Sequence, residues 1–116
     1  MLGKGGRPRE LSLRPGEETM KIVAVTACPT GIAHTYLAAE QLERTARRLG
    51  HAIKVETQGA MGIENELTAA DIAEADVVII ASDIAIERPE RFERLRRIEV
   101  PVQSVARKPE AVFEKL

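Results

Sequence analysis

The sequence has little cysteine and few aromatic residues. Of its 116 residues, one is cysteine, two are phenylalanine, one is tyrosine and none is tryptophan. A single cysteine excludes a disulfide within the chain, and so few rings offer few platforms on which the bases of a single-stranded nucleic acid could stack. An excess of positive charge is also missing, because seventeen Lys and Arg against eighteen Asp and Glu give a formal net charge of −1. This balance argues against binding to nucleic acid or to an anionic membrane surface.

Long apolar runs are absent as well. The longest stretches, around residues 22–25 and 77–81, are far shorter than the ~20 residues that span a bilayer, and no signal-peptide pattern opens the chain. We therefore expect a cytoplasmic protein that does not insert directly into a membrane. One cysteine and two histidines, at positions 34 and 51, lack the spacing of a metal site, and the sequence has no glycine-rich nucleotide-binding loop. Neither a metal nor a cofactor is expected.

Two segments of the chain differ in composition. Residues 1–19 are rich in glycine and proline and carry charges of both signs without apolar periodicity, which predicts a disordered N-terminal tail. Residues 20–116 have the length of one domain with one hydrophobic core. We therefore expect a single folded domain over that range.

Within residues 20–116 the chain alternates between strand and helix patterns, which is typical of a parallel sheet built from right-handed crossovers. Strands are predicted over residues 21–26, 52–57, 77–82 and 98–100, and helices over 33–49, 68–75, 89–97 and 109–116. The first and third strands are continuously apolar, which favours central positions, whereas the second alternates and is placed at an edge. The sequence thus predicts an α/β fold, a three-layer sandwich with a four-stranded parallel sheet in the order 2-1-3-4 and helices on both faces.

The turn after the first predicted strand is the most informative segment. Its apolar run reaches Cys28 and breaks at Pro29 and Gly31 before helical spacing resumes. Such a loop aims backbone N–H groups and a helix N-terminus at one spot, which suits an anion and stabilises a thiolate. Cys28 is therefore predicted to be a nucleophile matched to a phosphoryl group. The alternative is a buried thiol that acts as a small apolar side chain.

The eight residues from Cys28 to Thr35, Cys-Pro-Thr-Gly-Ile-Ala-His-Thr, are followed by Glu56-Thr-Gln-Gly59 and by Gly62-Ile-Glu-Asn-Glu-Leu-Thr68. Together they resemble the fructose-type IIB component of the bacterial sugar phosphotransferase system, from about residue 20 to the C-terminus. The resemblance implies a phosphotransferase in sugar uptake. It implies that Cys28 accepts a phosphoryl group from a phosphohistidine of the IIA component and passes it to a sugar, fructose by this resemblance, held by the membrane IIC component.

The loop around Cys28 is predicted to cradle the phosphoryl oxygens, mainly through backbone N–H groups. The predicted phosphate-binding residues are Pro29, Thr30, Gly31, Ile32, Ala33, His34 and Thr35. The hydroxyls of Thr30 and Thr35 are candidate donors, although either residue could instead cap the helix that follows. His34 either reaches the phosphoryl group or is a plain surface histidine. It stands where low-molecular-weight tyrosine phosphatases carry the arginine of C-x5-R. An imidazole cannot form the bidentate hydrogen bonds that a guanidinium makes with phosphate oxygens.

Further residues follow the predicted strands at the same edge of the sheet as Cys28. Candidates for docking of partner proteins are Gln58, Gly59, Met61 and Asp83. Asp83 could instead orient the loop or cap the next turn. Two alternative functions stay open: a low-molecular-weight phosphatase or arsenate reductase, which would need an arginine at position 34 and a late Asp-Pro pair, and a non-catalytic regulatory interaction module.

Overall fold

The computed structural model describes residues 20–28, 32–59 and 62–116 of the chain. The predicted tail, residues 1–19, lies outside the described residues. The elements are β1 (Lys21–Ala27), α1 (Ile32–Leu49), β2 (Ala52–Gly59), β3 (Gly62–Glu64), α2 (Ala69–Glu74), β4 (Val77–Ser82), a 3-10 helix (Pro89–Phe92), β5 (Arg96–Val100), α3 (Val102–Arg107) and α4 (Pro109–Phe113). The domain is therefore an α/β fold, as predicted.

The strands form one mixed five-stranded sheet in the order β3-β2-β1-β4-β5. The strands β2, β1, β4 and β5 run parallel to one another, and β3 pairs antiparallel with β2. The sheet therefore does not match the predicted four-stranded parallel sheet in the order 2-1-3-4, because β3 adds a fifth, antiparallel strand outside β2. The placement of the second strand at an edge is also wrong, since β2 lies between β3 and β1.

The missed strand, β3, is only three residues long. It folds back on β2 so that Gly59 pairs with Gly62 and Thr57 pairs with Glu64. Gly62 has a φ of 94°, a conformation that costs a glycine far less than other residues and that lets the chain reverse direction. A three-residue strand leaves no periodic pattern to detect, so the sequence indicated only a long connection there.

Apolar side chains cover both faces of the sheet. On one face, Ile22, Ala24 and Ile79 pack beneath α1, α3 and α4. On the other face, Val23, Val25 and other strand residues pack beneath α2, Leu67 and the 3-10 helix. Because both faces are buried, β1 and β4 are apolar along nearly their whole length. This arrangement confirms the expected helices on both faces.

The short helix α2 is held at its start by a capping box. The Thr68 hydroxyl accepts a hydrogen bond from the Asp71 N–H at 3.0 Å, and the Asp71 carboxylate accepts one from the Thr68 N–H at 2.9 Å. Lys54 on β2 donates to the same carboxylate at 2.7 Å. These hydrogen bonds, that of Lys54 first, lower the pKa of Asp71 to about 2. The contact ties α2 to the face of β2.

The segment after β4 differs most from its predicted form. A helix was expected over residues 89–97, but a 3-10 helix ends at Phe92 and β5 begins at Arg96. Phe92 and Leu95 both pack against the sheet at a spacing of three residues, which imitates a helical pattern. Helix α3 was not predicted. Among the described residues, no helix is long and apolar enough to cross a membrane.

Candidate functional site

Cys28 lies directly after the carboxyl end of β1. Its side chain is 7% exposed and belongs to the apolar cluster on the α1 face of the sheet. Helix α1 begins at Ile32 and has 18 residues, so its N-terminus follows Cys28 closely in the chain. The first turn of a helix carries unpaired backbone N–H groups and a partial positive charge. An anion bound at the start of α1 would therefore be stabilised.

The loop predicted to bind phosphate is described only in part. Pro29, Thr30 and Gly31 lie outside the described residues. For Ile32, Ala33 and His34 the structure describes the helical backbone and not the side chains. Their predicted contacts with a phosphoryl group thus stay predictions.

Thr35 connects α1 to β1. Its carbonyl accepts a hydrogen bond from the Thr26 hydroxyl at 3.2 Å, and both side chains are buried. Because α1 begins at Ile32, Thr35 lies within the first turn and not at the capping position before it. The hydrogen bond fixes the first turn of α1 against the end of the strand that leads to Cys28.

Cys28 also lies at the point where the crossover connections of the sheet change from one face to the other. Ala27, the residue before it, pairs with Gln58 on β2 and with Ser82 on β4. The α1 crossover from β1 to β2 packs on one face, and the α2 crossover to β4 packs on the other. In open α/β sheets, such a switch point at the carboxyl ends of the strands is where ligands bind.

Exposed apolar side chains lie on elements that adjoin this edge. Tyr36 and Leu37, on the first turns of α1, are 42% and 41% exposed, and Ile84, after β4, is 46% exposed. The Tyr36 hydroxyl donates to the carboxylate of Glu64 on β3. This hydrogen bond raises the pKa of Tyr36 and connects α1 with the edge strand.

The candidate docking residues occupy different environments. Gly59 is exposed, and among the described residues no heavy atom beyond its chain neighbours lies within 4 Å of where a Cβ would stand. Met61 lies outside the described residues. The Gln58 side chain is buried, and its amide bonds to Glu56 and to the backbone of Glu87. Asp83 is exposed and accepts a hydrogen bond from the N–H of Val102 at 3.2 Å. It therefore accepts from the first N–H of α3, a helix that was not predicted from the sequence.

A buried ion pair close to this edge was not predicted from the sequence. Glu56 on β2 has no exposed surface, and both its oxygens bind the guanidinium of Arg91, at 2.9 and 3.1 Å. Burial alone would raise the pKa of Glu56, but hydrogen bonds from Arg91, Gln58 and the Leu67 N–H outweigh it and lower that pKa. The alternating pattern of β2 resembled a half-exposed strand, so nothing local indicated a buried carboxylate.

Residues 23–115 match the family described as the lactose/cellobiose-specific IIB subunit of the PTS system. The chain belongs to the PTS IIB family. It is 50% identical over 96 residues to the PTS system fructose-like EIIB component 2 of Escherichia coli strain K12, a match that covers 83% of this chain and 91% of that protein. It is also 50% identical over 95 residues to the fructose-specific EIIABC component of Bacillus subtilis strain 168, covering 82% of this chain and 15% of that protein.

Solved structures agree with this membership. The crystal structure of a predicted fructose-specific IIB from Escherichia coli superposes with a TM-score of 0.80 at 41% identity, covering 84% of this chain and 86% of the other. The predicted resemblance to a fructose-type PTS IIB component is therefore confirmed. PTS IIB components are phosphotransferases, and the chain is a phosphocarrier in sugar uptake. Membership in this family decides against the phosphatase or arsenate-reductase alternative.

Proposed function

We propose that Cys28 is the residue that carries the phosphoryl group. Its thiolate attacks the phosphorus of a phosphohistidine on the IIA component, so that an S–P bond forms while the N–P bond breaks. A sugar hydroxyl then attacks the same phosphorus, loses its proton, and returns the sulfur as thiolate. The observation that carries this proposal is the position of the single cysteine at the switch point of the sheet, just before the start of α1.

The residues around Cys28 would act mainly by positioning and charge stabilisation, as in phosphoryl transfer generally. The backbone N–H groups of residues 30–35 would surround the phosphoryl oxygens, and the partial positive charge of the α1 N-terminus would favour them. The bond from Thr26 to Thr35 supports this role, because it fixes that first turn against β1. No metal is needed for either transfer in this scheme.

We propose the IIA component and the sugar-loaded membrane IIC component as the two partners. The Bacillus subtilis relative is named an EIIABC component, and this chain spans only 15% of it, which supports a IIB unit that works beside IIA and IIC units. Both partners must reach Cys28 in turn, so each interface should be small and transient. The exposed side chains of Tyr36, Leu37 and Ile84, together with Gly59, are the proposed docking surface.

Fructose is the proposed sugar, because the relatives reported above are named fructose-like or fructose-specific. The sugar is bound by IIC in this scheme, so its identity would be chosen by the partner. The proposed location is the cytoplasmic side of the membrane, where the chain is held through IIC.

Intact-mass measurement after mixing with phosphorylated IIA tests the proposal. The wild-type chain should gain the mass of one phosphoryl group, and Cys28→Ser should gain none, because a serine hydroxyl is a far weaker nucleophile than a thiolate at neutral pH. Normal phosphorylation of Cys28→Ser would show that another residue carries the phosphate. A wild-type chain that never gains the mass would instead favour a non-catalytic regulatory module.

A further inference from the structure

The buried carboxylate of Glu56 is the centre of a polar network that the transfer scheme above does not use. Besides the two nitrogens of Arg91, its oxygens accept from the Gln58 amide nitrogen at 2.7 Å and from the Leu67 N–H at 2.9 Å. A charge removed from water is tolerated only when such partners offset its desolvation. Packed apolar side chains of similar volume often give equal stability, so stability alone does not account for this network.

Glu56 sets the orientation of the Gln58 side chain. An ionised carboxylate only accepts hydrogen bonds, so the amide nitrogen of Gln58 must face it. The amide oxygen is then turned toward the backbone of Glu87, whose N–H it accepts at 2.8 Å, while the nitrogen also approaches the Glu87 carbonyl at 3.4 Å. Gln58 thus holds both polar groups of one residue in the segment after β4.

Arg91 holds the same segment from its other side. Its Nε donates to the carbonyl of Arg88 at 2.9 Å, and Nη2 donates to the carbonyl of Glu87 at 3.1 Å. Arg88 has a φ of 53°, a left-handed conformation that a non-glycine residue keeps only where its surroundings hold it. With these donors engaged and its side chain 14% exposed, Arg91 is turned toward Glu56 and the backbone.

The network crosses the end of the strand that leads to Cys28. Val25 and Ala27 on β1 pair with Glu56 and Gln58 on β2, so these side chains lie on the face opposite the cluster that contains Cys28. The residues that they hold, Glu87 and Arg88, end the segment 83–88, which follows β4 on the other side of β1. The network therefore joins the two flanks of the Cys28 edge.

We infer that Gln58, Glu56 and Arg91 are positioning residues that hold residues 83–88, with the exposed Ile84, ready for the phosphate donor. This inference rests on the proposed function, because it assigns those residues to the surface on which phosphorylated IIA docks. A segment that is already ordered costs the complex less free energy than one that must be ordered on binding. The network then acts on the affinity for the donor and not on the chemistry at sulfur.

The variant Gln58→Met tests this inference, with Lys54→Met as its matched control. Both substitutions place the same side chain on the same face of β2, and each removes a bridge from that strand. Lys54 bonds to Asp71 on α2, whereas Gln58 bonds to Glu87. We expect amide hydrogen exchange at Glu87 to accelerate about tenfold or more in Gln58→Met only, because that variant lacks the side-chain oxygen that accepts from the Glu87 N–H.

Transfer kinetics supply the second measurement. In Gln58→Met we expect the KM for phosphorylated IIA to rise about tenfold while kcat changes less than about twofold, since the cost falls on docking. In Lys54→Met both should stay near the wild-type values. A merely structural role would lower the stability of both variants and leave KM unchanged.

Each result bears on the inference. Unchanged exchange at Glu87 in Gln58→Met would show that the segment is not held by this side chain. Faster exchange with an unchanged KM would show that the held segment does not serve docking. If the proposed function were wrong, the wild-type chain would accept no phosphate from IIA. That result would refute the docking role but would leave the hydrogen-exchange result at Glu87 valid.

Discussion

The carboxylate of Glu56 and the guanidinium of Arg91 form two hydrogen bonds, with N···O distances of 2.9 and 3.1 Å, although the two residues are 35 positions apart in the chain. Glu56 is fully buried and Arg91 nearly so. Each charge depends on the other, because an ionised group left alone in the interior cannot recover its hydration. The pair joins β2 to the 3-10 helix on the α2 side of the sheet.

Loss of Arg91 should therefore destabilise the domain strongly. We expect Arg91→Met to lower the free energy of unfolding by about 3–5 kcal/mol, the usual cost of breaking a buried pair by removing one partner. Urea unfolding at neutral pH measures this. Arg94→Met is the control, since Arg94 is an exposed arginine three residues away and should change stability by no more than about 0.5 kcal/mol. Equal effects of the two substitutions would contradict the structural account of the pair.

His51 predicts a pH dependence at the opposite end of the sheet. Its Nδ1 accepts a hydrogen bond from the Met20 N–H at 3.0 Å, and its ring stacks on Phe113 with centroids 6.1 Å apart. Burial lowers the pKa of His51 below its usual 6.5, and a proton on Nδ1 would also remove the acceptor. As the pH falls through 6.5, the unfolded chain binds a proton before the folded one does, so stability should decrease.

The measurement is urea unfolding at about pH 7.5 and about pH 5.5, where the histidine of the unfolded chain changes from neutral to charged. The free energy of unfolding should decrease more between about pH 7.5 and about pH 5.5 in the wild type than in His51→Phe, since phenylalanine keeps the stacking surface and does not titrate. Direct titration of the His51 ring by NMR should give a midpoint below 6.5. A midpoint at or above that value would refute the assignment.

Sequence patterns predicted the parts of the fold that repeat along the chain. The strands β1 and β4 are continuous apolar runs because both faces of the sheet are covered, and α1 has 18 residues over which its periodicity can show. The strand β3 was not predicted because three residues are too few to show a periodic pattern. The predicted helix after Pro89 failed because the spacing of Phe92 and Leu95 suits either a helix or a 3-10 turn followed by a loop.

The residues of the candidate site likewise differ in whether the local sequence indicates them. Cys28 could be proposed from the sequence because the chemistry predicted for its loop lies in consecutive residues. Glu56 and Arg91 could not, because their pairing exists only after β2 and the segment behind β4 are brought together. Gln58 was selected as a docking residue, whereas its side chain faces inward and bonds to Glu87. A strand pattern reports which residues share a face and not which of them find a partner there.

Under the proposed role of Cys28 as phosphate carrier, the identity of residue 34 should decide how long the phosphate stays on that cysteine. A phosphatase speeds attack on its cysteinyl phosphate by gripping the oxygens with a guanidinium, which stabilises the charge that develops in the transition state. Position 34 is a histidine, and an imidazole makes at most one or two hydrogen bonds there. A carrier needs a phosphocysteine that is stable until the sugar-loaded partner binds. A histidine in place of the arginine at position 34 therefore suits transfer better than hydrolysis.

We therefore expect His34→Arg to hydrolyse its phosphocysteine faster than the wild type, or to bind inorganic phosphate more tightly and pass it on more slowly. The decay of the purified phosphorylated proteins, the affinity for phosphate and the transfer rate to sugar measure these three quantities. Ala52→Arg is the control, because it adds the same side chain at an exposed position at the opposite end of the sheet and should alter none of the three. If His34→Arg also left all three unchanged, position 34 would not govern the fate of the phosphate, and the distinction between carrier and phosphatase would have to lie elsewhere in the loop.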